Sequence, residues 1–408
     1  MVSFAAMKTL AFATILVFLS LLIACQTAPP TDPQIIELTR LVIETEQIVA
    51  TVQVPVEVTR EVFIPVTVPS EEPTITEPSA LGSAENPIRL VFSPRYGEEV
   101  TRARAGNLID ALSAETDLAF DIITPPDHPA AITQACEAPD ATIAFLTTQE
   151  FVLAHKQCNL QIGYAGIRDG VNWQASMVMV EDLDEDELSF LADLEGRSWG
   201  VQAANNFVDA LYWEALLSAE NITPGRVTEY GTDASAVIAG NDGEVDFVTA
   251  SYLPPIYPRN EYEWVYGVDD PESWRATGQM PFRSGIGYVV VETYVDQGGW
   301  RVRDARAIAL DSRQFIFSNT DIMLLSEQIP NDAIAFGNAM PLGLVRQIGG
   351  ALETHGLSEN CQKSLCSSDL FAWEGITPVD DAFYNAVRFV MDELALSAED
   401  ISTMVTSE

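Results

Sequence analysis

From Asn86 onward the apolar positions follow two alternating periods, and each change of period marks an element. Ile88, Leu90, Val91 and Phe92 form a short strand-type run, closed by the turn signal Ser-Pro-Arg-Tyr-Gly at 93–97. Val100, Leu108, Ile109 and Leu112 recur at helical spacing across 98–115. Leu118, Phe120 and Ile122 then alternate as a second strand. The pattern predicts a short helix over 128–136, a buried strand over 141–146, a helix over 148–155 and a strand over 173–180. It then restarts: a helix through Leu191 and Leu194, a strand at 196–201, a helix at 207–219, a strand at 227–230, a helix at 234–239 and a strand at 245–250. Strands alternating with helices predict an α/β fold with mostly parallel sheets covered on both faces, and two successive units predict two lobes.

The chain ahead of Asn86 has a different character. Lys8 precedes a fifteen-residue apolar run over 9–23, which ends in Leu-Ile-Ala-Cys at Cys25. That run is short for a bilayer span and reads as a secretory signal over 1–24, with a plain transmembrane anchor as the alternative. Its ending resembles a bacterial lipobox, which implies a lipidated Cys25 and attachment to the membrane. Residues 25–85 alternate valine with polar residues as a strand would, but Pro55, Pro65, Pro69, Pro73 and Pro78 interrupt any ladder. An extended stalk is expected there, with a small β-rich assembly element as the other reading.

Composition narrows the partners. With 408 residues, 47% of them hydrophobic, the chain can bury a core in about two domains. Its formal net charge of −39 repels nucleic acid, which is excluded as a partner. Beyond the signal only Lys156 and Lys363 are lysines, so arginine carries the positive charge. Setting Cys25 aside leaves Cys136, Cys158, Cys361 and Cys366, an even number that suits an oxidising compartment. Cys136–Cys158 and Cys361–Cys366 are the expected bridges, because each pair flanks one local segment; free buried thiols are the alternative. No Cys-x-x-Cys meets a histidine cluster, so neither a metal nor another cofactor is expected. Nucleophile-elbow, His-Glu-x-x-His and phosphate-loop motifs are missing from the sequence, so no catalytic residues are assigned and an enzyme is not expected.

The ordered pieces carry a resemblance. Ala-Thr-Ile-Ala-Phe-Leu-Thr-Thr-Gln-Glu-Phe-Val-Leu-Ala-His (141–155) resembles the third strand and helix of phosphonate-type substrate-binding proteins of ABC importers. Pro126–Ile132, the Ile167–Gly170 crossing and Leu-Ala-Asp-Leu-Glu-Gly-Arg-Ser-Trp (191–199) resemble further segments of that family. So do Gly-Glu-Val-Asp (243–246), the returning segment 329–335 and the ending 378–388. The resemblance implies a two-lobed, type II periplasmic-binding-protein-like fold. Lobe 1 would take residues 86–180 and 329–408, and lobe 2 residues 181–328, with an unmatched insertion at 257–312.

Ligands of open α/β sheets sit beyond the carboxyl ends of the strands, where helix N-termini offer unpaired N–H groups. The loops 93–97, 126–129, 146–149 and 203–207 meet that description. Candidate ligand residues are Arg95, Tyr96, His128, Thr147, Thr148, Asn205, Asn206, Phe207 and Tyr252. Thr147 and Thr148 fall at a helix start, where capping competes with ligand binding. The family's Ser-Thr-Ser-Gly cluster is replaced by Asn205-Asn206-Phe207-Val208, which removes side-chain donors. The expectation is a monomeric, lipid-anchored extracytoplasmic protein that passes a small organic or oxyanion ligand to an ABC permease and ATPase. A sensing module of a membrane receptor is the alternative, and a hydrolase a more distant one.

Overall fold

A computed structural model describes residues 80–181, 188–258, 264–284, 289–294 and 297–404. The signal segment, Cys25 and the stalk up to residue 79 lie outside the described residues. Strand β1 (Ile88–Phe92) leads into helix α1 (Glu98–Thr116), which ends on Asp117 in the left-handed region. Strand β2 (Phe120–Ile123) precedes α2 (His128–Cys136), capped by the Asp127 carboxylate on Ala130 N–H at 2.8 Å, with Pro129 in the first turn. Next come β3 (Thr142–Leu146), fully buried, α3 (Thr148–Cys158) and β4 (Gln161–Ile167). After the crossing come β5 (Trp173–Glu181), β6 (Trp199–Val201), a π-turn (Phe207–Leu211) continued by α4 (Tyr212–Ala219), and β7 (Val227–Glu229). Helix α5 (Asp233–Asn241) and β8 (Phe247–Tyr252) complete that unit.

The region 257–312 contains β9 (Phe282–Arg283), β10 (Val289–Val291) and β11 (Trp300–Val302), a small antiparallel sheet, followed by α6 (Arg306–Ala309). It is fixed by the buried Arg306, whose guanidinium meets Asp304 at 2.9 Å and Glu272 at 2.7 Å. Helix α7 (Ile316–Asn319), β12 (Thr320–Leu325), β13 (Ile329–Pro330) and β14 (Ala333–Phe336) follow. The chain then closes with α8 (Leu342–Gly356), β15 (Gly375–Pro378), α9 (Asn385–Glu393) and α10 (Ala398–Ile401).

Two six-stranded mixed sheets result. The first runs β15-β4-β14-β3-β1-β2, with β1 to β4 in one direction and β14 and β15 reversed. The second runs β12-β5-β8-β6-β7, with β5 reversed and β13 paired to it. Three of the five pairings in each sheet are antiparallel, so the sheets are mixed rather than mostly parallel as the alternation of elements predicts, because the strands returning across the hinge insert against the parallel set. One boundary differs from expectation. The strand over 173–180 belongs to lobe 2, not lobe 1, because β5 pairs with β8 along 175–180. The outward crossing therefore lies between Ile167 and Trp173, and the return between Leu325 and Ala333. Asn331 ties the two crossings: its Nδ2 donates to the carbonyls of Gly166 and Val171, both at 3.0 Å. Cys136–Cys158 joins the ends of α2 and α3, and Cys361–Cys366 closes a short turn after α8.

Candidate functional site

Between the lobes, beyond the ends of β1 and β3, lies a cavity of about 30 Å³, room for about two waters. Lobe 1 lines it with Arg95, Thr147, Thr148 and Gln149; lobe 2 with Asn206, Phe207 and Val208; the crossings with Gln174, Ile329, Pro330 and Asp332.

The helix start in lobe 1 separates the two threonines. Thr147 is the N-cap of α3: its Oγ1 accepts from Glu150 N–H at 3.2 Å, and Glu150 Oε2 accepts from Thr147 N–H at 2.7 Å. Glu150 is fully buried, and its other oxygen meets His128 Nδ1 at 2.7 Å. His128 therefore braces the cap and does not line the cavity. Thr148 Oγ1 is also buried but has no hydrogen-bond partner among the described residues. The amides of Thr148 and Gln149, first in the helix, have no intrahelical acceptor either. A hydroxyl, two helix-start amides and the positive end of a helix dipole thus meet at the cavity.

Arg95 adds a guanidinium from the turn after β1. It lies 3.6 Å from Asp332 and 5.6 Å from the centre of the Tyr96 ring. Asp332 is shared with Arg168, which donates to it at 2.5 Å. Tyr96 stands behind Arg95, edge-on to Phe371 at 5.4 Å, and burial raises its hydroxyl pKa, with Asp332 adding to the effect.

In lobe 2 the fully buried Asn206 caps the π-turn, accepting from Val208 N–H at 3.0 Å and Asp209 N–H at 2.8 Å. Its Nδ2 donates to Gln202 Oε1 at 2.8 Å. Two of the amides at the start of the π-turn, those of Val208 and Asp209, are therefore already taken by the protein's own side chain, and Phe207 and Val208 present an apolar wall. Behind them Asp209 is fully buried, its carboxyl raised well above the usual range by burial and by the nearby Asp233.

Five of the expected ligand residues thus come together: Arg95, Thr147, Thr148, Asn206 and Phe207. The others are placed elsewhere. Asn205 donates to the Thr403 carbonyl of the C-terminal segment. Tyr252 is buried with its hydroxyl donating to Pro271 O at 3.2 Å, and it lines a second cavity across the hinge. Gln149, Gln174 and Asp332 are not among the expected ligand residues; Gln149 falls in the expected 146–149 loop, while the other two reach the site only through strand crossing. Among the described residues no group of His, Cys, Asp or Glu is arranged to hold a metal, and no helix is long and apolar enough to cross a membrane.

Comparison with known proteins agrees with the resemblance read from sequence. No curated protein matches the chain. Among solved structures it is similar to XAC2383 from Xanthomonas citri bound to ATP, at 12% identity over 75% of this chain and 98% of that one, TM-score 0.44. It is also similar to PhnD1 from Prochlorococcus marinus in complex with methylphosphonate, at 12% identity over 76% and 98%, TM-score 0.38. A third is a binding-protein component of an ABC phosphonate transporter from Pseudomonas aeruginosa, at 12% over 78% and 92%, TM-score 0.36. The family model for the periplasmic substrate-binding protein of phosphonate ABC transporters matches residues 90–384. With most of the sequence covered by that match, the chain belongs to this family of extracytoplasmic proteins, which bind a solute for an importer and do not transform it.

Proposed function

We propose that this protein is a monomeric, lipid-anchored solute receptor for an ABC importer, with a small organic oxyanion as its ligand. Cys25 would carry the lipid, and residues 26–85 would hold the lobes away from the membrane. The observation that carries the ligand assignment is the lobe-1 corner of the cleft. There a buried, unpartnered Thr148 hydroxyl and two helix-start amides share the cavity with Arg95. An oxyanion accepts from all of these at once, whereas an apolar ligand would leave them unsatisfied. Lobe 2 contributes shape through Phe207 and Val208 in place of hydroxyls, so selectivity would rest on lobe 1 for charge and on lobe 2 for the organic part.

Thermal melting of the purified chain against alkylphosphonates, phosphate esters, sulfonates and carboxylates tests this reading. A ligand at 100 times its dissociation constant adds about 2.7 kcal/mol of stability. A shift with one tetrahedral oxyanion class and none with carboxylates alone is the expected outcome. A panel with no shift at millimolar ligand would reject the oxyanion assignment.

A further inference from the structure

We propose that the cleft is bipartite, and that its ligand carries a second acidic group bound by Arg303 on the far side of the hinge. This rests on the reading of the first cavity as an oxyanion site. The second cavity has about 140 Å³, and its lining includes Arg168, Asp169, Gln174, Tyr252, Arg303 and Asn331. Gln174 lines both cavities, which places them side by side, and the proposal takes a single elongated molecule to span them past that side chain.

Arg303 differs from the other buried or half-buried arginines around it. Arg168 is neutralised by Asp332 at 2.5 Å, and Arg306 is enclosed by Asp304 and Glu272. Arg303 is held by carbonyls alone, donating to Pro254 O at 2.9 Å and Asp169 O at 2.7 Å. Among the described residues no carboxylate forms an ion pair with it within 4.0 Å. Its pKa is lowered chiefly by burial, while Asp169 and Glu374 act the other way through space. The Glu374 carboxylate is itself engaged by Gly170 N–H at 2.8 Å. A guanidinium positioned by carbonyls, half-buried and without a contacting carboxylate, is prepared for an anion from outside the chain.

Asn331 supplies an independent sign that the cavity takes a ligand. It is 1% exposed, its Nδ2 is committed to the crossings, and its Oδ1 is buried with no partner among the described residues. That acceptor calls for a donor, such as a hydroxyl or ammonium beside the acid. Trp173 and Tyr252 supply the apolar wall. The ligand class is therefore a compact molecule with a tetrahedral oxyanion at one end and a carboxylate at the other. The carboxylate's two oxygens match the guanidinium fork.

The test is calorimetric titration of the purified chain with 3-phosphonopropionate and 4-phosphonobutyrate, each against n-propyl- and n-butylphosphonate of matching length. The carboxylated probes should bind about tenfold or more tighter than their alkyl partners. Arg303→Gln should reduce that preference to near unity, and Arg303→Lys should restore part of it. Equal binding of both probe types by the native chain, with alkylphosphonates still bound, overturns the proposal alone. Equal weakening of both types by Arg303→Gln also overturns it, since the residue then acts on the fold. Binding of neither type rejects the oxyanion site itself and the second compartment with it.

Discussion

Thr147 and Thr148 are neighbours of the same chemistry with different tasks. Thr147 Oγ1 is engaged in the cap of α3, whereas Thr148 Oγ1 has no partner among the described residues and lines the cleft. Thr147→Ala should lower stability by about 1 kcal/mol, the usual worth of an N-cap. Thr148→Val keeps the shape and removes only the hydroxyl, so ligand affinity should fall about tenfold at nearly unchanged melting temperature. Titration and melting of both variants check the division, and native affinity in Thr148→Val would assign the hydroxyl no role. Asp209 makes a second residue-level prediction. Burial and then Asp233 raise its carboxyl above the ordinary value of 3.8, so ionising it costs the folded state more than the unfolded one. Its contribution is intact below that value and is lost as pH rises through the folded pKa. Asp209→Asn should thus be near neutral at low pH and increasingly stabilising relative to the native chain as pH climbs. Parallel stability–pH curves for the two proteins would refute the shift. At this scale the sequence was informative where chemistry is local. The helix start at Thr147-Thr148 announced a cap, but only the fold shows which threonine takes it and which faces the cavity.

Among the elements, several with a strong period were legible up to β8, whereas the amphipathic helices α8 and α9 and the glycine-interrupted β4 were not assigned from the pattern. Helices α1, α2 and α3 start where the apolar spacing and caps predict. Strand β4 was missed because Gly163 and Gly166 interrupt its pattern. The structure shows why they are there: a Cβ at Gly163 would meet the Phe336 ring at 2.4 Å, and one at Gly166 the Trp373 ring at 2.2 Å. Those approaches are between distant parts of the chain, which no local pattern records. Strand β5 was visible but assigned to the wrong lobe, since an isolated strand does not declare its sheet. The disulfides give a prediction at this scale. Cys136–Cys158 closes a sequence separation of 22 and Cys361–Cys366 one of 5. Chain entropy then assigns about 3 kcal/mol to the first and about 2 kcal/mol to the second. Paired serine variants, compared by denaturant midpoint, should keep that order; a reversed order would show that the folded state's own geometry dominates.

Across the molecule, the two lobes are joined by more than the crossings. Helix α9 follows the last strand of lobe 1, yet its Glu393 accepts from Ser218 on α4 in lobe 2 at 2.9 Å. Helix α10 packs its buried Ile401 into the same core, and just beyond it Asn205 of lobe 2 donates to the Thr403 carbonyl. The C-terminal segment therefore bridges the lobes, packing on α3 of lobe 1 and on α4 of lobe 2. Sequence could assign 378–388 by resemblance, but not that the following residues reach across, because that depends on the hinge angle. If that hydrogen bond breaks when the lobes separate, Asn205→Ala removes about 1 kcal/mol from the closed arrangement. The closed population should fall about fivefold relative to the open one, and affinity for any ligand that requires closure should fall with it where the open form dominates. Small-angle scattering of the ligand-free protein should show a larger radius of gyration, and saturating ligand should restore the native value. An unchanged radius together with unchanged affinity would mean that the Asn205 contact follows closure without contributing to it.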